Sequence, residues 1–238
     1  MKTESTAPTT AQYRYIALGI FTLTYTLNFV DRQILSILQE PIKSDLGLSD
    51  TQLGLLTGFA FALFYVSLGF PIARLADRSN RKRIVVWCLS LWSTMTMLCG
   101  LTVNYWQLLM ARIGVGVGEA GCTPPLHSMI SDIFPKRERG TALGIYNSGV
   151  NIGVLVGFLL GGWITQFFDW RIALLLVGVP GLILALIFQK VVKEPPRLNE
   201  HGGSAESQAA PMPYKEILGL FLSVPTLRWL VVAAMACG

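Results

Sequence analysis

Six long apolar runs limit what this chain can fold into more than any other feature. They extend from Tyr15 to Leu38, Thr51 to Ala73, Ile84 to Thr102, Trp106 to Met129, Thr141 to Gln166 and Ile172 to Val192. Each reaches the roughly 20 residues that a helix needs to cross the hydrocarbon core of a bilayer. In lipid the backbone can satisfy its polar groups only as a helix or a closed barrel, and the patterning selects helices. Of 238 residues, 52% are hydrophobic and 14% charged, whereas an ordinary soluble domain is about a quarter charged. The expected fold class is an all-α membrane protein: a polar N-terminus over 1–14, a six-helix transmembrane bundle over 15–192, a linker over 193–213 and a terminal segment over 214–238.

The connections between runs carry opposite charge loads. One side holds Lys2, Arg14, Arg74, Arg78, Arg81, Lys82, Arg83, Lys136, Arg137, Arg139, Lys190, Lys193 and Arg197; the other holds Lys43 and Arg171. The excess of Lys and Arg on cytoplasmic loops places the N-terminus and the Val192 end inside the cell. The formal charge of +5 thus serves topology, and no nucleic-acid role is read from it. Cys88, Cys99, Cys122 and Cys237 lie in apolar stretches without metal-ligand spacing, so neither a disulfide framework, a metal site nor a cofactor is expected. The linker, rich in Pro, Gly, Ser and Ala, reads as flexible and cytoplasmic. Tyr214 to Leu222 has the pattern of a helix lying on the membrane surface, and the apolar run from Leu227 to Gly238 is too short to cross, as a truncated seventh helix would be. The alternative for that run is a re-entrant or interfacial tail.

Charges inside the runs point to function. Arg112 and Glu119 lie within the fourth run, where each costs about 2.5 to 3.5 kcal/mol to insert. Such groups face a protein interior or a watery cavity and find partners. Arg112, Gly116, Glu119, Thr123 and His127 share one broad helical face, while Gly114, Gly118 and Gly121 thin the same helix for close packing. In the first run Thr24, Asn28 and Asp31 share a face. Asp31 and Arg112 lie about seven and about six residues from the outer ends of their runs, so a rise of about 1.5 Å per residue brings them to one depth as partners. Glu119 falls about 10 Å deeper on the Arg112 face, leaving one arginine for two carboxylates. Arg32, rotated by about 100° from Asp31, is expected to serve as an interhelical or interfacial anchor, and His127 as a packing group. The alternative is an inert ion pair that fixes helix packing. In the fifth run Gly149, Gly153, Gly157 and Gly161 form a smooth ridge, and Asn147 and Asn151 face either a cavity or a second helix.

Between the second and third runs stands Gly69-Phe-Pro-Ile-Ala73-Arg-Leu-Ala-Asp77-Arg78-Ser-Asn80-Arg81-Lys82-Arg83, which resembles the cytoplasmic signature loop of the major facilitator superfamily, with Ala73 and Asn80 where glycines are common. Arg112 to Gly116 resembles that family's fourth-helix motif, and the glycine row resembles its antiporter motif, with Val154 in place of the usual proline. Asn28-Phe-Val-Asp31-Arg32, Leu46-Gly-Leu-Ser-Asp50-Thr-Gln-Leu-Gly54, Gly116-Val-Gly118-Glu119-Ala120-Gly121 and Asp132-Ile-Phe-Pro135 together look like its spinster-like branch. The resemblance implies a twelve-helix transporter whose halves are each built from inverted three-helix repeats. This chain would be the N-terminal half, its partner a C-terminal six-helix half. It implies proton-coupled secondary active transport of an amphiphilic, lysolipid-like or other organic anion. Asp31, Arg112 and Glu119 would couple protons, and Arg112, Glu119, Asn28, Asn147 and Asn151 would line the substrate site. Asp77, Arg78 and Arg81 would form a conformational latch, with Asp77 meeting a helix N-terminus of the other half.

Phe59, Phe61, Phe64 and Tyr65 can accommodate an acyl chain, or can simply pack or face lipid. Other readings within transport are an organic anion symporter or drug exporter; outside it stands a non-transporting membrane scaffold. An enzyme is disfavoured, because the chain has no HExxH pair and no Ser/His/Asp set, and no catalytic residue is assigned. Short loops without an Asn-x-Ser/Thr sequon favour a bacterial inner membrane.

Overall fold

The computed structural model describes residues 11–196 and Ser223. The surface helix and short seventh run expected after Pro213 therefore lie, except for Ser223, outside the described residues. Residues 11–196 form nine α-helices and one π-turn, with no strand among the described residues. α1 (Ala11–Ile37) and the short α2 (Gln39–Leu46) lead to α3 (Asp50–Gly54), the π-turn Leu55–Phe59 and α4 (Ala60–Arg78). There follow α5 (Arg81–Cys99), α6 (Tyr105–Ala120), α7 (Thr123–Ile133), α8 (Arg139–Phe167) and α9 (Trp170–Val191).

Local chemistry sets these boundaries. Gly47 closes α2 in the left-handed region at φ 62°, where a side chain would be strained. Ser49 and Gln52 satisfy each other's backbone N–H groups in a capping box at the start of α3. Asn80 and Asn104 accept from the backbone N–H groups of Arg83 and Gln107 at the starts of α5 and α6. The second run is thus one helical crossing that passes through the π-turn, a feature frequent at functional sites. The fourth run, expected as a single helix, is two. Gly121 and Cys122 close short bonds to the carbonyls of Gly118 and Glu119, and Pro124 and Pro125 supply no N–H to continue the ladder, so the helix breaks immediately after Glu119.

Polar and charged side chains are buried beside an apolar core, and large apolar ones face outward. Asp31, Arg112, Glu119, Asn28, Thr24 and Thr96 are buried, while Leu159, Trp163, Ile183 and Leu186 lie exposed on the outer faces. The second, fifth and sixth crossings are long and apolar enough to span a membrane by composition alone. The first and third hold polar side chains of the interior, and the fourth is divided into α6 and α7, of 16 and 11 residues.

The packing repeats. α1 lies along α8 and also touches α9, α4 lies along α6, and α5 packs against both α6 and α9. Exchanging the first three crossings for the last three leaves this set of neighbours unchanged: first with fifth becomes fourth with second, first with sixth becomes fourth with third, and third with sixth maps onto itself. This is the pairing of two structurally equivalent three-helix repeats in one six-helix bundle. The Tyr13 hydroxyl accepts from the Lys193 N–H at 2.7 Å, so α1 begins and α9 ends at the same end of the bundle, as an even number of crossings requires.

Glycine makes the closest of these contacts possible. A β-carbon on Gly153 would lie 2.5 Å from the carbonyl oxygen of Thr26, and one on Gly118 would lie 2.7 Å from the backbone nitrogen of Trp92. Backbones thus meet directly between α8 and α1 and between α6 and α5, the close approach that small residues permit in membranes. At the end away from Tyr13, Arg171 bonds Asp45 at 2.6 Å and the Thr102 carbonyl at 3.2 Å. The Arg171 bond holds the Asp45 carboxyl below its ordinary range, and Asp50 raises Lys43 by pairing with it at 2.6 Å.

Candidate functional site: two arginine–carboxylate pairs beside a broken helix

Asp31 and Arg112 meet, as their depths predict. The Arg112 guanidinium lies 3.6 Å from the Asp31 carboxylate, and the Thr96 hydroxyl of α5 donates to the same carboxylate at 2.9 Å. All three residues are buried. One turn earlier on α1, Asn28 is buried as well, and Thr24 returns its hydroxyl to the Ile20 carbonyl at 2.8 Å.

Glu119 does not share Arg112. Its carboxylate takes the Arg32 Nε–H at 2.7 Å, with the Glu119 side chain fully buried and that of Arg32 26% exposed. Of the two expected roles Arg32 takes the interhelical one: it ties α1 to α6 as a second cation of the interior, and it is not an anchor at the membrane interface. The rotation of about 100° between adjacent helical residues sends Asp31 toward α5 and α6 and Arg32 toward α4, and both directions lie inside the bundle. The sequence placed the two residues on different faces correctly; it could not say that both faces are covered.

Aromatic rings hold the Arg32 guanidinium. Its central carbon lies 4.8 Å from the Tyr65 ring centroid, 5.1 Å from Phe61 and 5.2 Å from Phe29, and the Arg112 central carbon lies 5.1 Å from the same Phe61 ring. Ring faces attract cations at these distances, the more so away from water. Phe61 thus interacts favourably with both cations. Phe61 and Tyr65 stack at 5.7 Å on α4, whereas Phe59 is 64% exposed. The aromatic group expected on the second run is thereby divided between an interior box and an outward face.

The two pairs are incomplete in one respect. Asp31 Oδ2, Glu119 Oε1 and Arg112 Nε are buried without a hydrogen-bond partner among the described residues. Gly116 packs its backbone on Phe61, and Asn147 and Asn151 are exposed on α8 and glue no helices within this bundle.

At the basic end, Arg81 is 2% exposed and binds Asp132 at 2.5 Å, Glu194 at 2.8 Å, the Ser128 hydroxyl at 2.8 Å and the Pro195 carbonyl at 2.8 Å. These partners join the start of α5, the end of α7 and the chain beyond α9. The first residues of the expected linker are thus held against the bundle. Arg78 is exposed, and the Asp77 side chain, expected as part of the latch, lies outside the described residues. The signal for Asp132 was present in the Asp-Ile-Phe-Pro motif; Glu194, in a polar stretch, gave none.

The described residues contain no cluster of His, Cys, Asp and Glu able to hold a metal. The candidate site is a buried cation–carboxylate constellation beside a helix break. The profile of the Major Facilitator Superfamily matches residues 21–238. The chain belongs to the major facilitator superfamily. It is 39% identical over 75% of its length to an MFS-type efflux pump of Mycolicibacterium smegmatis, covering 42% of that protein. It is 31% identical over 74% of its length to a hexuronate transporter of Bacillus subtilis, covering 41% of that protein. A crystal structure of a bacterial homolog of the human lysosomal transporter Spinster, inward-facing and unoccupied, superposes with a TM-score of 0.78 at 39% identity. The match covers 91% of this chain and 50% of that one. Within the superfamily the chain is spinster-like, and it spans about half the length of the curated relatives it matches. Its relatives are transporters and not enzymes.

Proposed function

We propose that this chain supplies one wall of a proton-coupled secondary active transporter for an organic anion, amphiphilic in character, working by alternating access. The observation that carries the reading is the pair of buried carboxylates, each held by its own arginine, with Glu119 lying where the fourth crossing breaks. Intramembrane ionisable groups mark ion and substrate pathways, and broken helices at membrane depth are tolerated where they line a cavity. In this reading Arg32, partly exposed and boxed by Phe29, Phe61 and Tyr65, meets the anionic group. Arg112 holds Asp31 charged until substrate arrives. An anion that draws an arginine away leaves a buried carboxylate uncompensated, and burial then favours its neutral, protonated form.

Asn28 lines the same pocket. Asn147 and Asn151, exposed on α8, face outward from this half and are assigned to the surface that meets a second six-helix half, across which the substrate is held. The basic end is cytoplasmic by the positive-inside rule, in a bacterial inner membrane. Asp77, Arg78 and Arg81 act there as a latch, with Arg81 already bound to Asp132 and Glu194.

The test is uptake by the full-length protein in vesicles with and without an imposed pH gradient. Asp31→Asn, a neutral mimic of the same size, is expected to bind substrate yet lose its response to the gradient. An Asp31→Asn protein that follows the gradient like the parent identifies the Asp31–Arg112 pair as structural and ends the coupling role.

A further inference from the structure

A groove of about 860 Å³ runs between the first turns of α5 and the last turns of α9 at the basic end of the bundle, away from the buried charges described above. Lys82, Arg83 and Lys193 line it together with Trp87, Ser90 and Gln189. Among the described residues none of these three cations has an ion-pair partner. Glu194, the acid in the lining, is already spent: one of its oxygens binds Arg81 and the other takes the Lys82 backbone N–H at 2.7 Å. Among the described residues the groove is therefore cationic without a counter-ion for these three side chains.

Its outer side is apolar and open. Trp87 is 75% exposed, on the same α5 face as Arg83 and Ser90 at helical spacing and about 6 Å further along the axis than Arg83. That is the depth at which a tryptophan favours the headgroup boundary. A cationic cleft between two crossing helices, with an exposed indole on the hydrocarbon side, matches a ligand with an anionic head and apolar tails. We propose that this groove binds the phosphodiester headgroup of an anionic phospholipid of the surrounding bilayer. Lys82, Arg83 and Lys193 contact the phosphate oxygens, Ser90 and Gln189 can bond the glycerol region, and an acyl chain passes over Trp87. The third and sixth crossings are one of the pairs that join the two three-helix repeats, so such a lipid ties the repeats together where Arg81 also ties them. This site is separate from any substrate site and does not rest on proton coupling.

The probe is phosphatidylglycerol, compared with zwitterionic phosphatidylcholine of the same chains, titrated into the detergent-purified full-length protein and read by native mass spectrometry. Phosphatidylglycerol is expected to be retained preferentially. Lys82→Gln/Arg83→Gln/Lys193→Gln should bind it on the order of 100-fold more weakly, about fivefold for each cation near the headgroup. Lys136→Gln/Arg137→Gln/Lys190→Gln, an equal loss of charge at the same end, should bind like the parent. A second measurement uses phosphatidylglycerol brominated on its chains: it should quench fluorescence in the parent and measurably less in Trp87→Phe. Equal retention of the two lipids, equal losses in both triple variants, or quenching independent of Trp87 overturns the proposal, as does exclusion of lipid by another segment of the chain occupying the groove.

Discussion

Arg32 shows how much one side chain can change a site. It pairs with Glu119 at 2.7 Å, and that acid has no other described cation at hydrogen-bonding distance. Removing one partner of a desolvated, hydrogen-bonded ion pair costs about 2 to 5 kcal/mol, much of it the penalty of the charge left behind. Arg32→Gln is therefore expected to lower apparent substrate affinity by about 30-fold or more. Arg32→Lys should recover part of the loss, because it keeps the charge without the planar fork. Ligand-dependent thermal shifts on the purified protein measure this; an Arg32→Gln variant with parental affinity would return Arg32 to the role of anchor. Asp31, the next residue, should respond differently, losing gradient dependence before binding. The two adjacent residues thus have separable readouts.

Among the elements, α8 depends most on what it lacks. Its ridge lies on α1 so closely that a side chain at Gly153 must displace the Thr26 carbonyl or the helix itself. Overpacking of this kind costs about 1 to 3 kcal/mol, so Gly153→Val should lower the thermal midpoint and the yield of folded protein. Gly162, around which a β-carbon would meet nothing within 4 Å, is the control. Gly162→Ala should be neutral or stabilising by up to about 1 kcal/mol, since alanine is the better helix former. Equal effects at both positions would show that the α1–α8 contact tolerates separation. The break between α6 and α7 works in the other direction. There two prolines interrupt a helix that hydropathy reads as continuous, and the interruption falls beside Glu119.

At the scale of the molecule, the basic end is held by one residue. Arg81 gathers Asp132, Ser128, Glu194 and the Pro195 carbonyl, which come from the second repeat and from the chain beyond it. Arg81→Ala removes the buried cation that binds Asp132 and Glu194 and should destabilise the bundle by about 3 kcal/mol. Labelling of single cysteines introduced near the end of α7 should rise in parallel. If labelling and thermal midpoint stay parental, the cluster is a surface feature and not a clasp. The opposite end is joined more lightly, by the half-exposed Arg171–Asp45 pair.

The sequence alone determined the membrane class, the six crossings, their common basic end, the glycine ridge and the Asp31–Arg112 partnership. All of these follow from length, periodicity and depth along single helices, quantities that a bilayer of fixed thickness makes legible. The tertiary structure alone decided which arginine serves Glu119, that Phe61 sits among both cations, that Asn147 and Asn151 point out of the bundle, and that Glu194 binds Arg81. Each of these depends on the azimuth at which one helix meets another. That angle is set by the packing of all six crossings together, so no single stretch of sequence carries it.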